Sequence, residues 1–323
     1  MGKLLFICGF PSGGTDLAKT ILNAHPDIYI NGEMPFLKNI VGWGYDQNTI
    51  LAKPEDVGAF QDVLRRLDPW NNFENIDHDF GPDLRAQGSF TLEEVLRTCF
   101  SQNNTLVWGN KTPQNTENIE LLYELFPNAH FLIVTRDVRD VCLSWRNKWG
   151  KDMSCCATKW ATRMQKGKIT TRLLPPERHL FVRFEDILSD TERCCRQVCT
   201  FLGLEFSERM LEHYKYTTEV IDGKINYGQR VDKRNRRKWD TQLPANTVRR
   251  IEEIAFGTMR ALGYEVELAT EERPITRWEI RRGMWRDFWA TLLVGNRASQ
   301  HNTLGHRFQT LLFELRKRQL KAV

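Results

Sequence analysis

The 323-residue chain lacks any apolar run long enough to span a membrane or to form the core of an export signal. Met1-Gly2-Lys3 leads straight into Leu4–Cys8, which is too short for either. Phe6 stands where a myristoylation signal requires Ser or Thr. Internal repeats and low-complexity tracts are missing too, which argues against solenoids and disordered linkers. The eight cysteines lack zinc-site spacing and include two adjacent pairs, Cys155-Cys156 and Cys194-Cys195. Reduced thiols in a cytoplasmic protein are the expectation, most of them acting as small core hydrophobes. An overall excess of basic charge is missing as well. The net charge is +5, yet residues 224–238 hold seven Lys/Arg against one Asp, and residues 271–323 hold eleven against five acids. The rest is therefore mildly acidic. Two basic clusters on such a body point to phosphate or polyanion sites and exclude a general nucleic-acid binder.

What is present is an alternation of apolar runs and helical periods. Lys3–Cys8 reads as a buried strand ending at Gly9, and Thr15–Ala24 as a helix stopped by His25-Pro26. Ile28–Ile30, Leu106–Trp108, His130–Thr135 and Leu180–Phe184 read as further strands. Helices are expected over Thr116–Leu125, Val138–Trp149 and Pro244–Leu262, the last stopped by Gly263, and after a cap at Ser189 or Asp190. Thr91 with Glu94 is a capping box opening a helix to about Phe100. Continuous apolar strands predict an α/β fold, a P-loop-type parallel sheet covered by helices on both faces. Residues 1–268 form the expected main domain. Within it, 41–90 reads as an insertion near the acceptor site, with a helix at Glu55–Leu67. Residues 269–323 read as an amphipathic helical tail.

Ligands in such sheets bind at the carboxyl ends of strands. Gly9–Asp16 reads Gly-Phe-Pro-Ser-Gly-Gly-Thr-Asp between a strand and a helix. Glycines let the backbone approach a phosphate, and the helix start offers free N–H groups. The G-x-x-x-x-G spacing is that of an ATP or GTP loop, but Thr15-Asp16 replaces the Lys-Ser/Thr that reaches the phosphates and Mg²⁺. The loop therefore suits a phosphate that needs no metal, and no metal site is expected. Pro11, Ser12, Gly13, Gly14, Thr15 and Asp16 are its candidate ligands.

Gly9–Phe36 resembles the 5′-phosphosulfate loop of PAPS-dependent sulfotransferases, closest to the tyrosylprotein-sulfotransferase-like and bacterial branches. Those carry G-x-P-[RK]-S-G-T-T, then H-P, then G-E. Phe126–Trp145 looks like the family's 3′-phosphate signature, R-D-x-R-D-x-x-x-S, which maps onto Arg136 and Ser144. Trp108–Pro113 matches the N-K-[TD]-P element, and Arg237-Lys238-Trp239 is similar to the segment that closes over the nucleotide. The four landmarks keep the family's order over about residues 3–265. The resemblance implies a P-loop fold and sulfonate transfer from 3′-phosphoadenylyl sulfate (PAPS) to an acceptor hydroxyl, releasing 3′,5′-ADP. It also implies Lys111 as the cation facing the departing bridging oxygen, and Glu33 as general base. One departure stands out: Ser12 occupies the family's Lys/Arg position. Either the site is weakened, or that task falls to Lys111.

Other readings remain open. His25 is a second base candidate, or a capping residue at its helix end, and His130 reads as structural. Arg234, Arg236, Arg237 and Lys238, after Gly223 and Gly228, form a mobile lid or a solvated loop. Trp239 stacks on adenine or anchors the next helix. A P-loop small-molecule kinase needs Mg²⁺ and ATP, which Thr15-Asp16 disfavours. A non-catalytic nucleotide-binding member is the reading that Ser12 suggests. The acceptor carries no motif; a carbohydrate or small metabolite is expected. In the tail, Trp278, Trp285, Phe288, Trp289 and Leu292 recur at helical spacing, as do Leu304, Phe308, Leu311, Leu312 and Leu315. Packing on the body, self-association, or peripheral contact with a membrane surface are the options there.

Overall fold

The computed structural model describes residues 2–33, 50–51, 90–100, 105–216 and 230–293. The expected helices at Glu55–Leu67 and around Leu304–Leu315, and Gly223 and Gly228 of the basic loop, lie outside the described residues. The chain divides into two compact units.

The first unit comprises Met1–Thr135, Lys166–Arg183 and Asp190–Thr217. Its sheet is built from β1 (Lys3–Gly9), β2 (Ile28–Asn31), β5 (Val107–Lys111), β6 (His130–Thr135) and β7 (His179–Arg183), in the order β2-β5-β1-β6-β7. Every pairing is parallel. β6 is buried at all six positions and β1 at all but its first, so successive side chains are covered on both faces. That is the state a continuous apolar strand requires. Two-residue strands β3 (Ile50–Leu51) and β4 (Phe90–Thr91) pair antiparallel. The expected capping box opens α2 (Leu92–Phe100): Thr91 N–H donates to Glu94 Oε2 at 2.8 Å, and Glu94 N–H to Thr91 Oγ1 at 3.3 Å.

Helix α1 (Thr15–Asn23) follows β1 and packs on β2 and β1. Its amphipathic face buries Ala18, Ile21 and Leu22. It ends where Pro26, having no N–H, cannot continue it. The expected helix over Thr116–Leu125 divides into a 3₁₀ turn, Pro113–Glu117, and α3 (Ile119–Leu125). Pro113 explains the tighter start, because it starts the segment without an N–H of its own.

The second unit comprises Arg136–Gln165, Phe184–Ser189 and Thr218–Val323. α4 (Val138–Trp149) starts at Asp137, whose carboxylate accepts from Arg139 N–H. Residues 153–165 of α5 (Met153–Thr171) follow. Short α6 (Phe184–Ser189) also belongs to this unit, whereas α7 (Thr191–Leu202), capped by Asp190, belongs to the first. α8 (Lys238–Gln242) and α9 (Ala245–Ala261) both pack on α4. The C-terminal helix α10 (Arg277–Leu293) is present. Within it only Gly283 and Ala290 are buried, and Trp278, Trp285 and Trp289 are exposed.

Candidate active site

Gly9 ends β1, and α1 begins after five intervening residues. Gly13 N–H donates to the Phe10 carbonyl at 2.8 Å, closing a tight turn. A Cβ on Gly13 would lie 2.6 Å from that oxygen, so glycine is required there. Ser12 and Gly14 both adopt left-handed backbone, at φ 66 and 92. Ser12 carries the side-chain cost of that conformation and Gly14 does not. No side chain caps the start of α1. Its first N–H groups and the turn form a cradle of donors suited to an anion, with Thr15 buried beneath and Pro11 half-buried beside it. This arrangement fits a phosphate group.

Lys111 ends β5, where its register partner on β1 is Ile7. Asn31 at the end of β2 pairs with Asn110, which brings Glu33 to the same carboxyl edge. There the Lys111 ammonium lies 2.6 Å from Asp16 Oδ1 and 2.8 Å from Glu33 Oε1. Lys111 is 5% exposed, while both carboxylates are partly open to solvent. Burial by itself would lower the lysine pKa; Glu33 and Asp16 outweigh it and hold the group above its ordinary value. Lys111 and Glu33, expected as acid-side and base-side partners, are thus brought together. Asp16, a candidate nucleotide ligand at the start of α1, directs its carboxylate to Lys111 in this structure.

The two histidines are structural in their contacts. His25 is buried, accepts from Asp27 N–H at Nδ1 and bonds the Glu205 carbonyl through Nε2 at 2.9 Å. With both ring nitrogens occupied, it has no ready acceptor for a substrate proton. His130 meets Phe201 edge-on, and burial, Arg178 and Lys3 push its pKa down to about 4.

In the second unit, Arg136 is the residue after the last of β6. It is buried, its guanidinium 4.6 Å from the Phe184 ring centre and 4.0 Å from Asp140. Ser144 lies two turns into α4 and is half-buried. Between them Arg139 forms a hub that sequence reading left without a role. It bonds Asp137 at 2.7 Å and Glu252 at 2.6 Å, and lies 3.8 Å over the Trp239 ring. Glu252, fully buried, also accepts from the backbone N–H groups of Glu267, Leu268 and Ala269. Its only sequence trace is one acid in a helical pattern.

Trp239 is 2% exposed, and its N–H backbone group donates to Asp140 at 3.0 Å. Of the two roles considered for it, this geometry is that of the anchor; a face covered by Arg139 is not open to adenine. Arg237 is exposed, holds left-handed backbone at φ 52 and pairs with Glu267 at 2.9 Å. Lys238, the first residue of α8, is exposed, as are Arg234 and Arg236. Among the described residues no cluster of three or more His, Cys, Asp or Glu is arranged to hold a metal ion.

A parallel sheet with a glycine-cradled strand-to-helix loop, and a lysine fixed by two carboxylates at the same edge, defines a P-loop-type protein built for a phosphate-bearing ligand. The sulfotransferase family is matched over residues 5–208, and the chain belongs to that family of enzymes. A protein-tyrosine sulfotransferase of Drosophila melanogaster is 24% identical over 281 residues, covering 81% of this chain and 52% of that protein. Protein-tyrosine sulfotransferase 1 of Danio rerio is 25% identical over 221 residues, covering 65% of this chain and 56% of its own. The chain spans about half the length of these two relatives. In fold it is similar to the sulfotransferase domain from the curacin biosynthetic pathway, with a TM-score of 0.55 and 18% identity. That match covers 83% of this chain and 99% of the domain.

Proposed function

We propose that the protein transfers a sulfonate group from PAPS to an acceptor hydroxyl. The observation that carries this reading is Lys111, held between Asp16 and Glu33 at the strand edge where the phosphate cradle opens. PAPS, when bound, supplies an activated sulfonate whose departure leaves charge on a bridging phosphate oxygen. Ser12, Gly14 and Thr15 offer backbone donors to the 5′-phosphosulfate, while Pro11, which has no N–H, and Gly13, whose N–H closes the turn on Phe10, shape the loop around it. Arg136 and Ser144 offer a guanidinium fork and a hydroxyl to the 3′-phosphate. Lys111 donates to the developing charge, and Glu33 accepts the acceptor proton. Proton uptake by Glu33 removes one of the two negative charges beside Lys111, so the lysine becomes a more effective cation as the acceptor becomes a nucleophile. Arg237 and Lys238 border the nucleotide as part of a basic lid, and Trp239 anchors that lid.

The expected acceptor was a sugar or small metabolite. The relatives named protein-tyrosine sulfotransferases support a tyrosyl hydroxyl of a protein instead. The expected cytoplasmic location rests on the missing export run and the cysteine pattern together. Titration with 3′,5′-ADP against ATP with Mg²⁺ tests the donor reading. Tighter binding of 3′,5′-ADP is expected; preference for ATP with Mg²⁺ would favour the kinase alternative.

A further inference from the structure

Helix α10 presents the side opposite to that of an ordinary surface helix. Gly283 and Ala290 are its buried positions, and a Cβ at Gly283 would collide with Cys155 Sγ. The small residues therefore let the helix lie close on its own unit. Trp278, Trp285 and Trp289 are spaced by seven and four, which sets them on one stripe. They are 65%, 62% and 45% exposed. A helix that buries glycine and alanine and turns three tryptophans to water leaves a large apolar surface with no partner among the described residues.

A second observation stands beside the first. A cavity of about 320 Å³ is lined by Arg146, Lys151, Arg250, Arg282 and Arg286, with Asp152 the one carboxylate among its lining residues. Arg250 is committed to Glu253 and Glu279, and Arg286 reaches Asp152 at 3.3 Å. Arg146, Lys151 and Arg282 form no ion pair among the described residues. Arg282 lies 4.9 Å from the ring of exposed Trp278, so cavity and stripe share one helix and adjoining side chains. Trp145 and Trp149, half-buried on α4, extend the pattern with Lys148, Lys151 and Lys159 within 6 Å of their rings.

Indole rings favour the headgroup layer of a bilayer, where an apolar body and a polar N–H are both satisfied. Arginine and lysine beside them meet anionic headgroups. We propose that α10 and the cationic cavity beside it dock this protein on an anionic phospholipid surface. The tryptophan stripe enters the headgroup layer, and the cavity receives a lipid phosphate. No helix among the described residues is long and apolar enough to cross a membrane, so the contact is peripheral. The proposal is independent of the donor and acceptor assignments.

Co-sedimentation of the full chain with vesicles of phosphatidylcholine alone, and with about one-third phosphatidylserine, tests it. Binding to the anionic vesicles, weakened by salt, with little binding to the neutral ones, is expected. The double change Arg282→Glu with Arg286→Glu should lower the partition by more than about 25-fold, at about fivefold per arginine removed. Trp285→Ala with Trp289→Ala should lower it about tenfold while 3′,5′-ADP binding is kept. Equal binding to both vesicle types, or none, would overturn the proposal. So would wild-type partition in either double variant. A dimer in sedimentation equilibrium that the tryptophan variant breaks would assign the stripe to a second copy of the chain instead.

Discussion

Asp16→Asn removes one of the two charges that fix Lys111 and keeps the side-chain volume. At about 4 Å a unit pair is worth about 4 kcal/mol at an effective dielectric of about 20. Asp16 is about one-third exposed, so solvent screens much of that. What survives is a charge-assisted hydrogen bond to a buried lysine, worth about 1.5–3 kcal/mol. If Asp16 positions Lys111 for the developing charge, kcat should fall by about 10- to 150-fold. Affinity for 3′,5′-ADP should hold or rise, because a negative charge has left the phosphate cradle. The lysine should also titrate lower, since burial is then opposed by Glu33 alone. The alkaline limb of the pH–rate profile should shift to lower pH accordingly. Steady-state kinetics across pH, with calorimetric titration of 3′,5′-ADP, read all three. A kcat within about threefold of wild type, or a parallel loss of 3′,5′-ADP affinity, refutes the positioning argument.

Arg136→Ala should weaken 3′,5′-ADP by about 1.5–3 kcal/mol and leave a ligand without the 3′-phosphate nearly unchanged; equal losses would remove Arg136 from that role. Glu252→Ala should destabilise the fold by about 3–5 kcal/mol in denaturant unfolding, because it leaves buried Arg139 with Asp137 as its one close carboxylate and strands three backbone donors. A loss below about 1 kcal/mol would show that the hub relaxes freely. His130 binds its proton more weakly when folded, so stability should decline as pH falls from about 6.5 through about 4, by about 3 kcal/mol. His130→Gln should flatten that decline, and an unchanged pH profile would assign it to other groups.

The fold was legible where its causes are local. His130–Thr135 and Val138–Trp149 match the structure to the residue, because an apolar run and a clean helical period carry their own boundaries. The phosphate cradle was legible for the same reason: strand, glycines and helix start are contiguous. The roles of Lys111 and Glu33, 78 positions apart, came only through the family resemblance, and their direct contact only through the fold. The contact of Lys111 with Asp16 was missed altogether. An acid in the first turn of a helix looks like a favourable dipole partner, and no local pattern tells that β5, distant in sequence but paired with β1, will deliver a lysine to it. Arg139 and Glu252, 113 positions apart, were hidden likewise, since a charged residue on a helix reads as solvent-facing until the fold buries it. For α10, tryptophans at helical spacing left the body, a second subunit and a membrane surface open as partners; the small residues carry the packing on the body, and the tryptophans are exposed.

Labelled sulfonate followed from PAPS onto a tyrosyl peptide, with sugar and small-molecule hydroxyls in parallel, in wild type and Lys111→Ala, decides whether Lys111 serves sulfonate transfer. Labelled product and an equal amount of 3′,5′-ADP are expected from the wild type, and turnover lowered at least a hundredfold, about 2.7 kcal/mol, in the variant with 3′,5′-ADP still bound. Tight nucleotide binding with no transfer to any acceptor, or transfer that survives the loss of Lys111 within about threefold, would contradict that role.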